Sequence, residues 1–183
     1  MQTTLCTRIV SSLEKCFADE ALETKPILER ISVLRGEQLS FQLAYTETDP
    51  ACQRSLTPCL SGDLACCTAI RRVDSIPSTM PVYKGLTDDN YLRTEPGLFP
   101  DLLRPIDGGT VSPEPGMLDA LWLTVEIPDT FPAGEHVIAV ALCDEDGEIV
   151  SRNFLRVTLI DAALPEQELI FTQWFHSDCL AHY

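Results

Sequence analysis

Between Gln38 and Tyr45 the chain alternates, with Leu39, Phe41, Leu43 and Tyr45 separated by small or polar residues. A period of two is the pattern of a strand buried on one face. Leu121, Leu123, Val125 and Ile127 repeat it, and Pro128 closes the run. Segments 135–143 and 148–160 flank the acidic turn Asp144-Glu145-Asp146-Gly147, which predicts a hairpin. Weaker strands are predicted at 4–9, 27–34, 56–60, 65–73 and 80–83. Residues 11–17 fit either a turn or two of helix or the continuation of an edge strand, and no longer segment keeps a helical period. Many short strands punctuated by Pro, Gly and Asp predict an all-β fold, an antiparallel β-sandwich of immunoglobulin-like or jelly-roll-like type.

Two stretches break this rhythm. Residues 84–116 are dense in Pro, Gly and Asp and show no alternation, so a long irregular loop is predicted. The loop nevertheless carries Tyr91, Leu92, Leu98, Phe99, Leu102 and Leu103. Groups of that size imply packing against something. The second stretch is the tail, where 161–167 reads as a linker. Leu169-Ile170-Phe171-Thr172-Gln173-Trp174-Phe175 then starts a new strand, apolar on both faces as in the interior of a parallel sheet. The division expected is a sandwich domain at 1–163, followed at 164–183 by a linker and the first strand of a different body.

Composition narrows the partners. The 183 residues carry 13 Lys and Arg against 28 Asp and Glu, a formal net charge of −15. That excess of carboxylates opposes binding to nucleic acid or to an anionic membrane, since phosphate recognition needs clustered cations. No apolar run reaches the length of a membrane span, and the start shows no secretory signal, so a cytoplasmic protein is expected. In a reducing compartment the eight cysteines are expected as free thiols. Cys52, Cys59, Cys66 and Cys67 lack the CxxC spacing of a zinc knuckle, and Cys66-Cys67 reads as a pair of small buried hydrophobes.

Several blocks carry a family resemblance. They are Leu34-Arg35-Gly36-Glu37-Gln38-Leu39-Ser40-Phe41-Gln42, Asp89-Asn90-Tyr91-Leu92, Pro96-Gly97-Leu98-Phe99-Pro100-Asp101-Leu102-Leu103, Leu121-Trp122-Leu123, Pro132-Ala133-Gly134-Glu135-His136 and Trp174-Phe175-His176-Ser177-Asp178-Cys179-Leu180-Ala181. In this order they resemble the amino-terminal part of bacterial proteins similar to glycoside hydrolase family 123. The resemblance implies a β-sandwich set before a catalytic (β/α) barrel. It also implies removal of N-acetylgalactosamine by a substrate-assisted route, using an Asp-Glu pair on a barrel strand. No such pair transfers to this chain: Asp19-Glu20 and Asp144-Glu145-Asp146 lie in turn-like sandwich segments.

Candidate chemistry concentrates at the tail. Trp174, His176 and Asp178 are the substrate-binding candidates, with Trp174 as a stacking platform, and only in the presence of the barrel. His176, Asp178 and His182 supply metal-ligand atoms, but no fourth ligand is identifiable, so neither a metal nor a cofactor is expected. His136 reads as an edge-strand surface residue, Glu37 and Gln42 as hydrogen-bonding groups, and Trp122 as a core side chain. No catalytic residue is assigned. The expected function is a non-catalytic sandwich that supports the barrel and contacts glycan. The alternative is a free-standing carbohydrate- or protein-binding module. Self-association is expected where the barrel's docking face lies uncovered.

Overall fold

The computed structural model describes residues 4–82, 85, 90–166 and 168–170. Among them nine strands form two facing sheets. The first has the order β1 (Leu5–Ser11), β3 (Gln38–Glu47), β7 (Asp119–Glu126), β5 (Thr68–Ser78) and β6 (Gly97–Arg104). The second has the order β2 (Arg30–Arg35), β9 (Ile149–Ala163), β8 (Gly134–Cys143) and β4 (Thr57–Gly62). The β-sandwich read from the sequence is what the chain forms. One pairing is not antiparallel, because β2 runs parallel to β9, from Arg30 opposite Arg156 to Leu34 opposite Ile160.

Alternation decides which side chains meet between the sheets. Phe41, Leu43, Leu121 and Leu123 from the first sheet face Ile138, Val140, Leu142, Leu155 and Leu159 from the second, all buried. Each such side chain removed from water contributes roughly 1.5–3 kcal/mol, which makes this layer the main source of stability. The acidic turn between β8 and β9 closes as the pattern predicts: Gly147 N–H donates to the Asp144 carbonyl, and Asp144 Oδ1 accepts from Asp146 and Glu148 N–H.

The first sheet is also covered on its other face. Residues 12–17 neither continue the strand nor wind into a helix; the chain turns at Ser11–Glu14 and crosses the sheet as a strap that ends in a 3-10 turn at Leu22–Thr24. Cys16 and Leu22 from the strap meet Val10, Ala44, Leu118 and Ala120 in a second, smaller core. Gln42, buried on this face, donates through Nε2 to the carbonyls of Ser11 at 3.0 Å and Glu14 at 2.8 Å and so fixes the strap. Lys25, 8% exposed, donates to the Lys15 carbonyl and pairs with Glu20. Trp122 lies beneath the strap beside Gln42, half-buried rather than in the layer between the sheets where the sequence put it.

Other expectations need correction. The 84–116 segment contains a strand, β6, paired antiparallel with β5. Its alternation is hidden because Asp74 faces Leu102 while Ser75 faces Pro100, leaving Asp101 as an extra residue, and because Pro100 interrupts the pattern. An edge strand tolerates both a proline and a bulge. Conversely 80–82 is not a strand; the strand predicted before it, β5, instead runs on to Ser78. Cys66 is exposed rather than buried, because a single 3-10 turn at Ala65–Cys67 precedes β5. The strand expected to open at Leu169 falls mostly outside the described residues; Leu169 and Ile170 themselves are exposed and without regular structure.

Candidate functional site

Trp174, His176 and Asp178 lie outside the described residues, as do Cys179 and His182. The residues that the structure does bring together line two clefts beside the first sheet.

The first cleft, of about 400 Å³, lies between the strap, the end of β5 and residues 90–101. Its floor is aromatic. Phe17 and Phe99 pack edge to face with ring centroids 5.6 Å apart, and the Arg93 guanidinium sits 3.9 Å above the Phe17 ring. Arg93 also donates to Asp19 Oδ1 at 2.7 Å, and that hydrogen bond holds the Asp19 carboxyl below its usual range. Lys15 Nζ donates to the Pro100 carbonyl at 3.1 Å, tying the strap to β6. Tyr91 stands at the rim, 45% exposed, and Asn90 and Asp101 add polar groups. Phe17 is buried beneath Arg93, so the rings that reach the cleft are the half-buried Phe99 and the exposed Tyr91. Edged by amide, carboxylate and guanidinium groups, they suit a polyhydroxylated ring, whose faces are apolar and whose edges are polar.

The second cleft, of about 350 Å³, opens where residues 111–118 cross the end of the sheet. Tyr45 and Asp119, cross-strand partners on β3 and β7, both line it. Burial raises the Asp119 carboxyl to about 6, partly offset by the hydrogen bond from Glu114 N–H. Burial also raises the Tyr45 phenol, which is 2% exposed. A carboxyl that titrates near 6 can donate or accept a proton near neutrality. Two further carboxylates stand beside it in the cleft: Glu114, and Asp74, which is held by Arg72 at 2.5 Å and by Arg104 at 3.2 Å. Among the described residues no cluster of His, Cys, Asp and Glu is arranged to hold a metal ion.

Asp19 and Glu20, adjacent in sequence, are committed to structure: one to Arg93, the other to Lys25 and the Phe17 N–H. His136 lies on β8, inside the second sheet rather than at its edge. Its Nε2 lies 2.8 Å from the Pro132 carbonyl, and its Nδ1 lies 3.2 Å from Asp63. Glu37 accepts from Leu34 N–H at 2.8 Å and closes the turn between β2 and β3. The reading missed Phe17 and Asp119. Phe17 carries no local signal of its partners, which come from 93 and 99; Asp119, an acid opening a strand opposite a tyrosine, could have been flagged.

No protein-family model and no curated protein matches the sequence. Among solved structures, the chain is similar to a family 123 glycoside hydrolase from Clostridium perfringens, described for glycolipid glycan hydrolysis. The TM-score is 0.65 at 13% identity, over 88% of this chain. A looser similarity, TM-score 0.39 at 9% identity over 86% of this chain and 95% of the other, joins it to a FixG-related protein from Vibrio parahaemolyticus. At that level one two-sheet β fold is not distinguished from another. The chain spans 28% of the length of the Clostridium enzyme. At 13% identity the likeness is one of fold: a sandwich distantly like part of a family 123 glycoside hydrolase.

Proposed function

We propose that this chain is the non-catalytic β-sandwich domain of a glycoside hydrolase, set before a catalytic barrel that it supports. One observation carries the reading: nearly the whole chain superposes on little more than a quarter of a glycan-hydrolysing enzyme. Such a share is the proportion of an accessory domain. The apolar side chains left at the surface fit the same reading. Leu98, Leu102 and Leu103 on edge strand β6, with Leu92 and Ile76 beside them, are all more than a third exposed. Apolar side chains left uncovered along an edge strand are what a docked neighbour would cover. On this reading residues 164–183 lead into the barrel, Trp174, His176 and Asp178 line its substrate pocket, and the Phe17–Phe99 cleft contacts glycan from the sandwich side.

Sequencing the gene beyond the Tyr183 codon, and assaying both products, tests this. The expected result is an open frame encoding a barrel, a longer protein that releases N-acetylgalactosamine from an aryl glycoside, and no turnover by the 183-residue chain. Turnover by the short chain itself, or a longer protein without glycosidase activity, overturns it.

A further inference from the structure

On the second sheet, two thiols face each other. Cys59 lies on β4 and Cys143 at the end of β8, and their Sγ atoms are 3.4 Å apart. The strands pair antiparallel with Cys59 opposite Ala141 and Thr57 opposite Cys143, so the two cysteines are diagonal neighbours on one face of the sheet. They are 84 positions apart in sequence, which only the fold brings together. Their environments differ. Cys59 is exposed, and Cys143 is 8% exposed. All seven described cysteines are unbridged.

We propose that Cys59 and Cys143 are an oxidation-responsive dithiol, which a small-molecule disulfide closes into a cross-strand bond. The accessible Cys59, as thiolate, attacks one sulfur of oxidised glutathione; a mixed disulfide forms and one glutathione thiolate leaves. Cys143 then loses its proton to water, attacks the Cys59 sulfur and expels the second glutathione. The protein loses two hydrogens, and one glutathione disulfide becomes two thiols. The sulfurs have to close from 3.4 Å to about 2.05 Å. The strand that has to yield is β4, which sits at the edge of its sheet and pairs only with β8. The register of β8 against β9 also shifts between Leu142 and Cys143, so the backbone at Cys143 already departs from a regular ladder. The other close pair, Cys66 and Cys67 with Sγ atoms 3.6 Å apart, is adjacent in sequence. A bond there closes a small ring that strains the intervening peptide. The closed 59–143 bond tethers an edge strand across a long loop, the case in which a disulfide restricts the unfolded chain most. The inference is independent of the glycoside hydrolase reading.

The full chain, reduced and then incubated with oxidised glutathione, provides the test. Digestion by trypsin with a protease that cuts before aspartate releases 55–62 and 129–143 as separate peptides, each with one cysteine. The expected product is these two joined by a disulfide, with Tm raised by about 5 °C or more and restored by reductant. Cys143→Ser is expected to stop at Cys59 carrying glutathione, and Cys59→Ser to abolish both the linked peptide and the Tm shift. Absence of the linked peptide from the oxidised native chain overturns the proposal, as does a Cys66–Cys67 bond formed in its place. Failure of Cys143→Ser to trap glutathione on Cys59 overturns the order of steps and with it the role of Cys59 as the entry thiol.

Discussion

Arg93 sits over the Phe17 ring, its guanidinium carbon 3.9 Å from the centroid, although the two residues belong to segments that share no strand. Phe17 sits in the strap and is 4% exposed, and Arg93 leads into β6. The contact therefore joins the cover of the first sheet to its edge strand. Arg93→Ala removes it and frees Asp19. A loss of about 1 kcal/mol in chemical denaturation is expected from the ring contact. By NMR the Asp19 carboxyl should titrate at higher pH than in the parent chain. An unchanged Asp19 titration would show that Arg93 does not hold it.

Gly62 ends β4 with φ at +102°, and a Cβ placed there would stand 2.0 Å from the Val137 carbonyl oxygen. Neither the backbone conformation nor the space admits a side chain. Gly62→Ala should cost about 2–4 kcal/mol in equilibrium unfolding, through displacement of β4 from β8. A cost under half a kcal/mol would mean that the two strands separate freely at this end.

Asp119 makes stability depend on pH in a direction opposite to that of a salt-bridged carboxylate. Its folded value, about 6, stands above the 3.8 of an unperturbed aspartate. Between those values the folded chain binds more protons than the unfolded one, so stability falls as pH rises through that window. Asp119→Asn keeps an acceptor for Glu114 N–H and cannot ionise. Relative to the parent it should gain on the order of 1–2 kcal/mol at pH 7.5, and lose that advantage near pH 4. Parallel urea titrations at the two pH values check the sign. An advantage at pH 4 that disappears at pH 7.5 would reverse the assignment.

The exposed leucines of β6 predict association of the chain with itself. Leu98 and Leu102 are 46% and 48% exposed, and their replacement by Ser removes apolar surface without opening the core. Sedimentation of the parent chain should show a concentration-dependent shift that the double variant lacks. The variant's stability should remain within about half a kcal/mol of the parent's. A monomeric parent at high concentration would remove the support that this patch gives to barrel docking.

Period-two alternation made β3, β7 and the β8–β9 hairpin legible, because each is central and turns its large apolar side chains to one face while its neighbours supply the ladder. Strand β6 was illegible for a physical reason: an edge strand need not satisfy both ladders, so Pro100 and the bulge at Asp101 cost it little and erase its pattern. The strap was equally hidden. Cys16 and Leu22 are buried by a sheet face that Val10, Ala44 and Ala120 make apolar, and no local period announces a segment that merely lies across strands. The clefts depend on the strap, so they inherited its invisibility. Phe17 meets Phe99 and Arg93 across more than seventy positions of sequence.

The parallel pairing of β2 with β9 has a consequence for how the molecule is made. Arg30 faces Arg156, so β2 has no partner strand until β9, the last strand among the described residues, has emerged. While β3 to β8 are being made, the nascent chain holds Val33 and Leu34 unzipped beside a half-built layer, a state that invites chaperones.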